Sequence, residues 1–293
     1  MMAGARHSLS GAAAEDSGRV CLADRARIEH ALGMRGPVPS EYCFANIYLF
    51  RERHTYRFVA DPMPHLRGTT YDGAIHALPL IPLDASALAD LAQSGIDCIY
   101  PLSAKMPDGL VPTGWRQEFV EADSDYWYDG AAMAQMRFTK PRRAEGLAFT
   151  AEFQPRFERW SAAAAADAHA VLEGWLDDVG RNAGDTDFDE CREAVSLAGE
   201  LGLEGALVRT AHGQAAAFLL ASRREDGVRV IHFAKGRRVY SGAYPWLFAN
   251  YAEASGAGLL NFEQDLGNPG LAQSKRSYRP VELRKKWRLV ASS

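Results

Sequence analysis

Two acidic residues in the second half of the sequence have the side-chain types and the spacing that acid–base chemistry requires. Glu263 and Asp265 lie two positions apart at the end of a predicted strand, so we expect their side chains to share one face. There they could remove a proton from an amine or hold an ammonium group. Tyr278 could donate its hydroxyl proton to an oxyanion or to a leaving group. These three residues are the predicted catalytic groups of an acyl transfer.

Neighbouring polar residues have both a functional and a structural interpretation. Asp265 could instead cap the next helix, and Glu263 could pair with a lysine. Lys235 ends a predicted central strand, where burying a lysine is costly unless it meets an anion. His232 lies on the same strand with the opposite facing, and a single histidine in a strand is more often structural than catalytic. The predicted substrate contacts are Lys235, Lys275, Asn261, Tyr244 and Trp127.

Basic residues form clusters that could contact phosphate groups. Between Lys275 and Arg288 the sequence has seven basic residues and one acidic residue. Such contacts would be independent of nucleotide sequence and sensitive to salt, although charged surface clusters commonly serve solubility alone. The predicted phosphate contacts are Lys140, Arg142, Arg143, Arg238, Arg279 and Lys285.

Length and composition indicate a folded protein of two modules. The chain has 293 residues, 47% of them hydrophobic and 24% charged, with a net charge of −4. This length exceeds one average domain, and the negative charge argues against a DNA-binding protein. No apolar run approaches the roughly 18 residues that a membrane span needs. The four cysteines lie far apart without metal-ligand spacing. We therefore expect a cytoplasmic protein without membrane insertion and without a metal site.

The residue pattern predicts an alternation of helices and strands. Antiparallel strands are predicted to begin within residues 46–59, and two long helices separate the halves of the chain. The second half follows the order α-α-β-β-β-α-β-α-β. Two short helices are predicted, one capped by Ser40-Glu41 and one rich in Ala and Met between Asp129 and Lys140. The other predicted helices cover residues 24–32, 85–93, 160–180, 187–201, 244–254 and 269–274, and the further predicted strands cover 74–79, 97–101, 205–210, 214–223, 228–235, 258–263 and 282–290.

Several segments together resemble a known bacterial family. They are Ser40–Phe50, Asp125–Tyr128, Ile231–Lys235 and the string Glu263-x-Asp265-Leu-Gly…Gly-Leu…Lys275-x-Ser-Tyr278-x-Pro. In these the sequence resembles proteins related to the C-terminal catalytic domain of phosphatidylglycerol lysyltransferases. The resemblance implies an α/β (α+β) fold of tandem GNAT-like domains, with mixed, mostly antiparallel sheets flanked by helices. The implied organisation is a flexible arm over residues 1–20, a degenerate GNAT-like domain over 21–158 and a catalytic one over 159–293.

The resemblance also implies a reaction. By analogy, the protein takes an amino acid from aminoacyl-tRNA, needs no further cofactor, and places it on an amine or hydroxyl of a small-molecule or peptide acceptor. The basic clusters would then contact the tRNA. The sequence departs from the family at Ala234, where an acid is usual, and at Lys140-Pro-Arg-Arg143. It also has no counterpart of the membrane-spanning portion of the lysyltransferases, which argues against a lipid acceptor.

Two other functions fit the same residues. One is an N-acyltransferase that uses acyl-coenzyme A, whose pyrophosphate would bind the loop from Lys235 to Tyr244. In that loop Arg238 is one residue too far from Gly242 for the usual motif, but the backbone amides and cations could still hold a phosphate. The other is a binding module that has lost its catalytic activity.

Overall fold

The computed structural model describes residues 18–33 and 39–292. Most of the predicted arm lies outside these residues. The described residues up to Phe119 contain three α-helices and five strands. They are α1 (Arg25–Leu32), α2 (Phe44–Leu49), β1 (Arg57–Val59), β2 (His65–Thr69), β3 (Ile75–Pro79), α3 (Ala85–Gln93), β4 (Cys98–Leu102) and β5 (Trp115–Phe119).

From residue 165 onward the chain follows the predicted order of elements, except that the last predicted strand is split in two. The elements that follow β5 are β6 (Asp125–Asp129), α4 (Gly130–Ala134), α5 (Lys140–Phe153), β7 (Arg156–Arg159), α6 (Ala165–Val179), α7 (Phe188–Ser196), β8 (Glu204–Arg209), β9 (Ala215–Arg223), β10 (Arg229–Gly236), α8 (Ala243–Ser255), β11 (Leu259–Asn261), α9 (Pro269–Ser277), β12 (Glu282–Arg284) and β13 (Trp287–Ala291).

The predicted start of the antiparallel strands within residues 46–59 is wrong for most of that segment. Helix α2 occupies its beginning, and only β1 at its end is a strand. Cys43 begins the helix, because its sulfur accepts the backbone N–H of Asn46 at 3.4 Å. Every residue of α2 is buried. A helix buried on all sides has no polar stripe, so its aromatic and β-branched sequence cannot be distinguished from a strand by periodicity.

The strands form two sheets, and each sheet combines strands from distant parts of the sequence. The first has the order β1-β2-β3-β4-β13-β5, and the second has the order β12-β6-β11-β10-β9-β8-β7. Neighbouring strands are antiparallel except for the pairs β3 with β4 and β10 with β11. The late strand β13 therefore lies inside the first sheet, and the early strand β6 lies inside the second. The sheets divide the chain differently from the predicted boundary at residues 158 and 159.

The second sheet is covered by helices on both faces. Leu207, Phe218 and Phe233 pack in one cluster with residues of α2, α6 and α7. The alternate positions, among them Leu219 and Ile231, pack in a second cluster with residues of α5 and α8. Because α2 belongs to the first half of the chain, the first cluster joins the two halves through a shared core.

Strands β10 and β11 separate soon after they meet. Their parallel pairing covers only Arg229 with Leu260 and Val230 with Asn261. Beyond that point β10 continues to Gly236, whereas the chain after β11 no longer pairs with β10 and stays hydrogen-bonded to Tyr126 of β6. A β-bulge between Ile231 and Phe233 adds a local change of direction to β10. The divergence leaves a wedge of space that is open toward the first half of the chain.

Candidate functional site

The wedge between β10 and the segment after β11 is part of a cavity of about 1160 Å³. His232 and Lys235 line it from β10, and Glu263 and Asp265 line it from the other side. Residues of α2, β3 and β4 close it from the first half of the chain. The cavity thus lies where both halves meet, and it contains the three predicted catalytic residues and three of the five predicted substrate contacts.

Glu263 is held in place through its backbone and one of its carboxylate oxygens. Its φ of 56° is in the left-handed region, and its N–H donates to Asn261 Oδ1 at 2.7 Å. Its Oε1 accepts Asn46 Nδ2 at 3.0 Å and lies 2.8 Å from His232 Nδ1. Its Oε2 has no partner among the described residues. One oxygen is therefore anchored, and the other is available to a bound molecule.

His232 is the buried counterion of Glu263. Burial alone would lower the pKa of its imidazole, but the sulfur of Cys43 at 3.7 Å from Nε2 and the carboxylate of Glu263 outweigh that effect and raise the pKa to about 10. Nε2 also contacts Ser222 Oγ at 2.8 Å. Near neutral pH the ring is protonated and both nitrogens are occupied. It therefore fixes Glu263 and is not free to accept a proton from a substrate.

The predicted opposite facing of His232 and Lys235 is wrong, and the β-bulge is the reason. The extra residue in β10 lets Phe233 and His232 lie on the same side of the sheet, which is also the side of Lys235. Sequence reasoning also missed Cys43, Asn46 and Ser222, the other partners of this ion pair. Cys43 and Asn46 come from the start of α2 and Ser222 comes from β9, so no single local motif contains all three.

Asp265 accepts two hydrogen bonds, one on each oxygen. Tyr126 donates its hydroxyl to Oδ2 at 2.7 Å, and the N–H of Gly267 donates to Oδ1 at 2.9 Å. Burial and the contact with Asp265 raise the pKa of Tyr126 to about 12, so this phenol stays protonated. Asp265 stabilises the turn that precedes α9, whereas Asn268 caps that helix. Its geometry is that of a residue that positions the segment between β11 and α9.

Lys275 also holds the segment between β11 and α9 in place. Its ammonium donates to the carbonyl oxygens of Phe262, Glu263 and Gln264 at 2.6, 3.2 and 2.6 Å. Burial lowers its pKa to about 8, although the carboxylates of Glu263, Asp125 and Asp265 oppose that shift. All three donors of the ammonium are used by the backbone around Glu263. The predicted contact with substrate is therefore replaced by a contact with the chain itself.

The remaining predicted residues fall into two groups. Lys235 lines the cavity, but both oxygens of Asp187 accept its ammonium at 2.6 and 2.8 Å, and its cation lies 3.9 Å from the centre of the Trp175 ring. Tyr244, Tyr278 and Arg238 also line the cavity. Seven predicted residues do not line it: Asn261, Trp127, Lys140, Arg142, Arg143, Arg279 and Lys285.

Trp127 and Asn261 have structural contacts in place of the predicted substrate contacts. Trp127 is buried within β6, and the guanidinium of Arg284 stacks 3.5 Å from the centre of its ring. Asn261 is fully buried and donates to Asp125 Oδ2 at 2.9 Å. Both side chains come from strands of the second sheet, whose packing takes them away from the wedge.

Of the predicted phosphate contacts, only Arg238 borders the cavity. Lys140, Arg143, Arg279 and Lys285 are exposed at other positions. Arg142 donates to Ser277 Oγ and to Glu145 at 3.0 and 2.7 Å. These residues are open to an anion at the surface, but they do not form a wall of the cavity.

His76 belongs to the first-half wall of the cavity and gives the fold a measurable response to acid. Burial lowers the pKa of this histidine to about 3. Because the unfolded chain binds a proton at the ordinary histidine pKa of 6.5, stability is lost as the pH falls below that value. We expect wild type to lose about 2 to 3 kcal/mol more than His76→Phe between pH 7 and pH 4.5. Urea unfolding at the two pH values measures this difference.

The exposed His212, in the turn between β8 and β9, provides the control for that measurement. His212→Gln should lose as much stability as wild type on acidification. If His76→Phe also loses as much as wild type, the buried neutral histidine is not the cause of the acid response.

The described part of the chain has neither a helix long and apolar enough to cross a membrane nor a cluster of three or more potential metal ligands. Residues 35–290 match the protein family described as "Phosphatidylglycerol lysyltransferase, C-terminal". No curated protein sequence matches the chain.

Three solved structures show the same fold over nearly the whole chain. A conserved protein of unknown function from Bacteroides thetaiotaomicron has a TM-score of 0.80 at 18% identity and covers 93% of this chain and 98% of its own. L-PGS from Bacillus licheniformis has a TM-score of 0.60 at 17% identity, with 92% of each chain covered. The C-terminal domain of a putative lysylphosphatidylglycerol synthetase from Agrobacterium fabrum has a TM-score of 0.58 at 15% identity, with 93% of each chain covered.

Proposed function

Because the chain belongs to the family of phosphatidylglycerol lysyltransferase C-terminal domains and has their GNAT-like fold, we propose that it is an aminoacyltransferase that uses aminoacyl-tRNA. The family is one of acyltransferases. The proposed acceptor is an amine or hydroxyl of a small molecule or peptide. The choice of aminoacyl-tRNA as donor depends on the loop between β10 and α8, where the side chain of Asp178 already binds a backbone N–H.

That loop is poorly suited to the pyrophosphate of coenzyme A. A pyrophosphate is bound by free backbone N–H groups at a helix N-terminus. Here the N–H of Arg238 donates to Asp178 Oδ2 at 2.7 Å, and Arg237 Nε donates to the same oxygen at 2.9 Å. The contact with Arg237 lowers the pKa of Asp178, which therefore stays charged. The carboxylate of Asp178 therefore already accepts the backbone N–H of Arg238, which a pyrophosphate would need.

The first turn of α8 adds to this effect. The N–H of Ala243 donates to the carbonyl of Tyr240 at 3.0 Å, and Pro245 has no N–H to offer. The helix therefore has fewer free donors at its N-terminus than an anion site of this kind requires. Both observations favour a donor whose reactive ester enters the wedge without a pyrophosphate on this loop.

The cavity residues suit transfer from an ester to a nucleophile. The acceptor nitrogen or oxygen attacks the carbonyl carbon of the aminoacyl ester, and the bond to the terminal ribose oxygen breaks. The proton that the nucleophile loses ends on that ribose oxygen. In this proposal Glu263 Oε2 accepts a hydrogen bond from the amine in the wedge. Tyr278, whose pKa is raised by burial, stays protonated and can donate to the developing oxyanion or to the leaving oxygen.

The experiment that tests the donor compares two ligands on the same protein. Incubation with a panel of labelled aminoacyl-tRNAs and a mixture of amine and hydroxyl acceptors should move label from tRNA to an acceptor. Acetyl-coenzyme A at millimolar concentration should leave the unfolding temperature unchanged, because only a ligand of the native state raises it. A rise of several degrees, together with no loss of label from any tRNA, would favour the coenzyme A donor. Binding of aminoacyl-tRNA without transfer would favour a binding module.

A further inference from the structure

The wall of the cavity from the first half of the chain is lined by a connected group of aromatic rings. We call it the aromatic compartment and define it by Tyr56, Tyr71, Tyr100, His54 and His76. The ring of His54 lies 4.7 Å from that of Tyr71 and 5.1 Å from that of Tyr56. The ring of His76 lies 5.6 Å from Tyr56 and 6.4 Å from Tyr100. Four separate segments of the chain supply these rings to one space.

The rings of the aromatic compartment are neutral near pH 7. Burial lowers the pKa of both His54 and His76, so neither imidazole adds a positive charge. Burial also raises the pKa of Tyr56 and of Tyr100, so their phenols do not ionise. Neutral aromatic rings present electron-rich faces, to which organic cations are attracted.

Two cations behind the rings are each shared between two carboxyl groups. The ammonium of Lys286 faces Glu41 at 2.8 Å and Asp125 at 2.6 Å, but burial raises the pKa of Glu41, so that group is not counted as a full negative charge. The guanidinium of Arg288 faces Asp123 at 2.8 Å and Asp72 at 3.2 Å, and it also lies 4.7 Å from the centre of the Tyr100 ring. The group around Arg288 therefore has one carboxylate more than its cation.

Three other cations in the cavity wall have partners of their own. Arg53 is paired with Glu190 and Lys235 with Asp187, each at 2.6 Å, and the ammonium of Lys275 is held by carbonyl oxygens. Glu263 is balanced by His232 but keeps Oε2 without a partner among the described residues. The compartment therefore combines aromatic walls with the extra carboxylate at Arg288 and the open oxygen of Glu263, and this environment suits an organic ammonium group.

We propose that the aromatic compartment binds the cationic group of the acceptor, and that the acceptor class is an organic ammonium compound. The assignment of this cation as acceptor rests on the proposed aminoacyl transfer. The binding site itself does not. An ammonium group seated on Tyr71 and the other rings lies in the same cavity as Glu263, so a second amine or hydroxyl of the same molecule can reach the wedge.

The experiment uses choline as the probe and 3,3-dimethylbutan-1-ol as its neutral isostere. The two molecules differ only in the charged nitrogen, so shape and apolar area are matched. Calorimetric titration of the full chain should give choline at least about a tenfold lower Kd than the neutral alcohol. Equal Kd values, or no binding of choline, would overturn the proposal.

Variants of Tyr71 test whether choline binds in the aromatic compartment. Tyr71 is half-exposed at a turn, so its replacement does not open the core. Tyr71→Leu should weaken choline about tenfold, whereas Tyr71→Phe, which keeps the ring, should stay within about threefold of wild type. Tyr240→Leu, at a tyrosine outside the compartment, should match wild type. Unchanged choline binding in Tyr71→Leu would contradict the proposal.

The titration contains no tRNA, so its result is separate from that of the transfer assay. If choline binds as expected and no aminoacyl group is transferred, the cation site stands and the proposed function fails. If transfer occurs, the amines that serve as acceptors should compete with choline for binding. Transfer to acceptors that do not compete would show that the compartment is not the acceptor site.

Discussion

Replacing Glu263 with glutamine is expected to lower the rate of aminoacyl transfer by at least about a hundredfold. The amide of Glu263→Gln can still accept hydrogen bonds from Asn46 and His232 on one side. It cannot offer a second acceptor oxygen to the amine in the wedge, and it removes the negative charge from the ion pair. The pKa of His232 should then fall from about 10, because burial is no longer opposed by a carboxylate.

Two measurements on the same variant check this result. Single-turnover transfer of a labelled aminoacyl group gives the rate, and titration of the His232 ring by NMR gives its pKa. Glu282→Gln, at an exposed position on β12, is the matched control and should keep the wild-type rate. A Glu263→Gln variant that retains more than about a tenth of the activity while the pKa of His232 falls would remove Glu263 from the transfer step.

Lys286→Met is expected to destabilise the protein by about 3 to 5 kcal/mol. The ammonium of Lys286 is 1% exposed and contacts Glu41 from the first half and Asp125 from β6. Methionine fills a similar volume but leaves two buried carboxylates without their cation. Asp125 and Glu41 outweigh the effect of burial and raise the pKa of Lys286 above its ordinary value of 10.5. The ion pairs of Lys286 therefore stabilise the fold fully below pH 10.5, and this stabilisation is lost as the pH rises through the pKa of Lys286 in the folded protein.

The neighbouring residue provides a matched comparison for this variant. Lys285 is exposed, so Lys285→Met removes the same charge without emptying a buried pair and should change stability by less than about 0.5 kcal/mol. Urea unfolding at pH 7, followed by circular dichroism, measures both variants. Similar midpoints for the two would show that the buried cluster does not hold the halves together.

Local patterns predicted the second half of the fold well. Helix α8 and strands β8 to β10 lie within two residues of their predicted limits, because each has a clear periodicity and a turn on either side. Glu263 and Asp265 both line the cavity, because their spacing places both in one short segment. The family and the GNAT-like fold inferred from the motifs are confirmed.

Contacts between distant positions could not be predicted in the same way. The ion pair of Glu263 needs a bulge in β10, Asn46 from a helix that the sequence did not distinguish from a strand, and Cys43 at the start of that helix. The pairing of strands across residues 158 and 159 could not be predicted for a related reason. Strand β6 precedes the predicted boundary yet pairs with β11 and β12, and no local property of Asp125–Asp129 indicates which sheet it joins.

The insertion of β13 between β4 and β5 has a consequence for how the protein is made on the ribosome. The first sheet lacks an internal strand until residues 287–291 have left the exit tunnel, although its other strands were synthesised much earlier. Over the same interval Glu41 lacks its ion-pair partner Lys286. The nascent chain must therefore keep an incomplete sheet with unpaired edges from aggregating until β13 is available. Arg288 of β13 also lines the cavity, so chains that stop before β13 are not expected to bind its ligands.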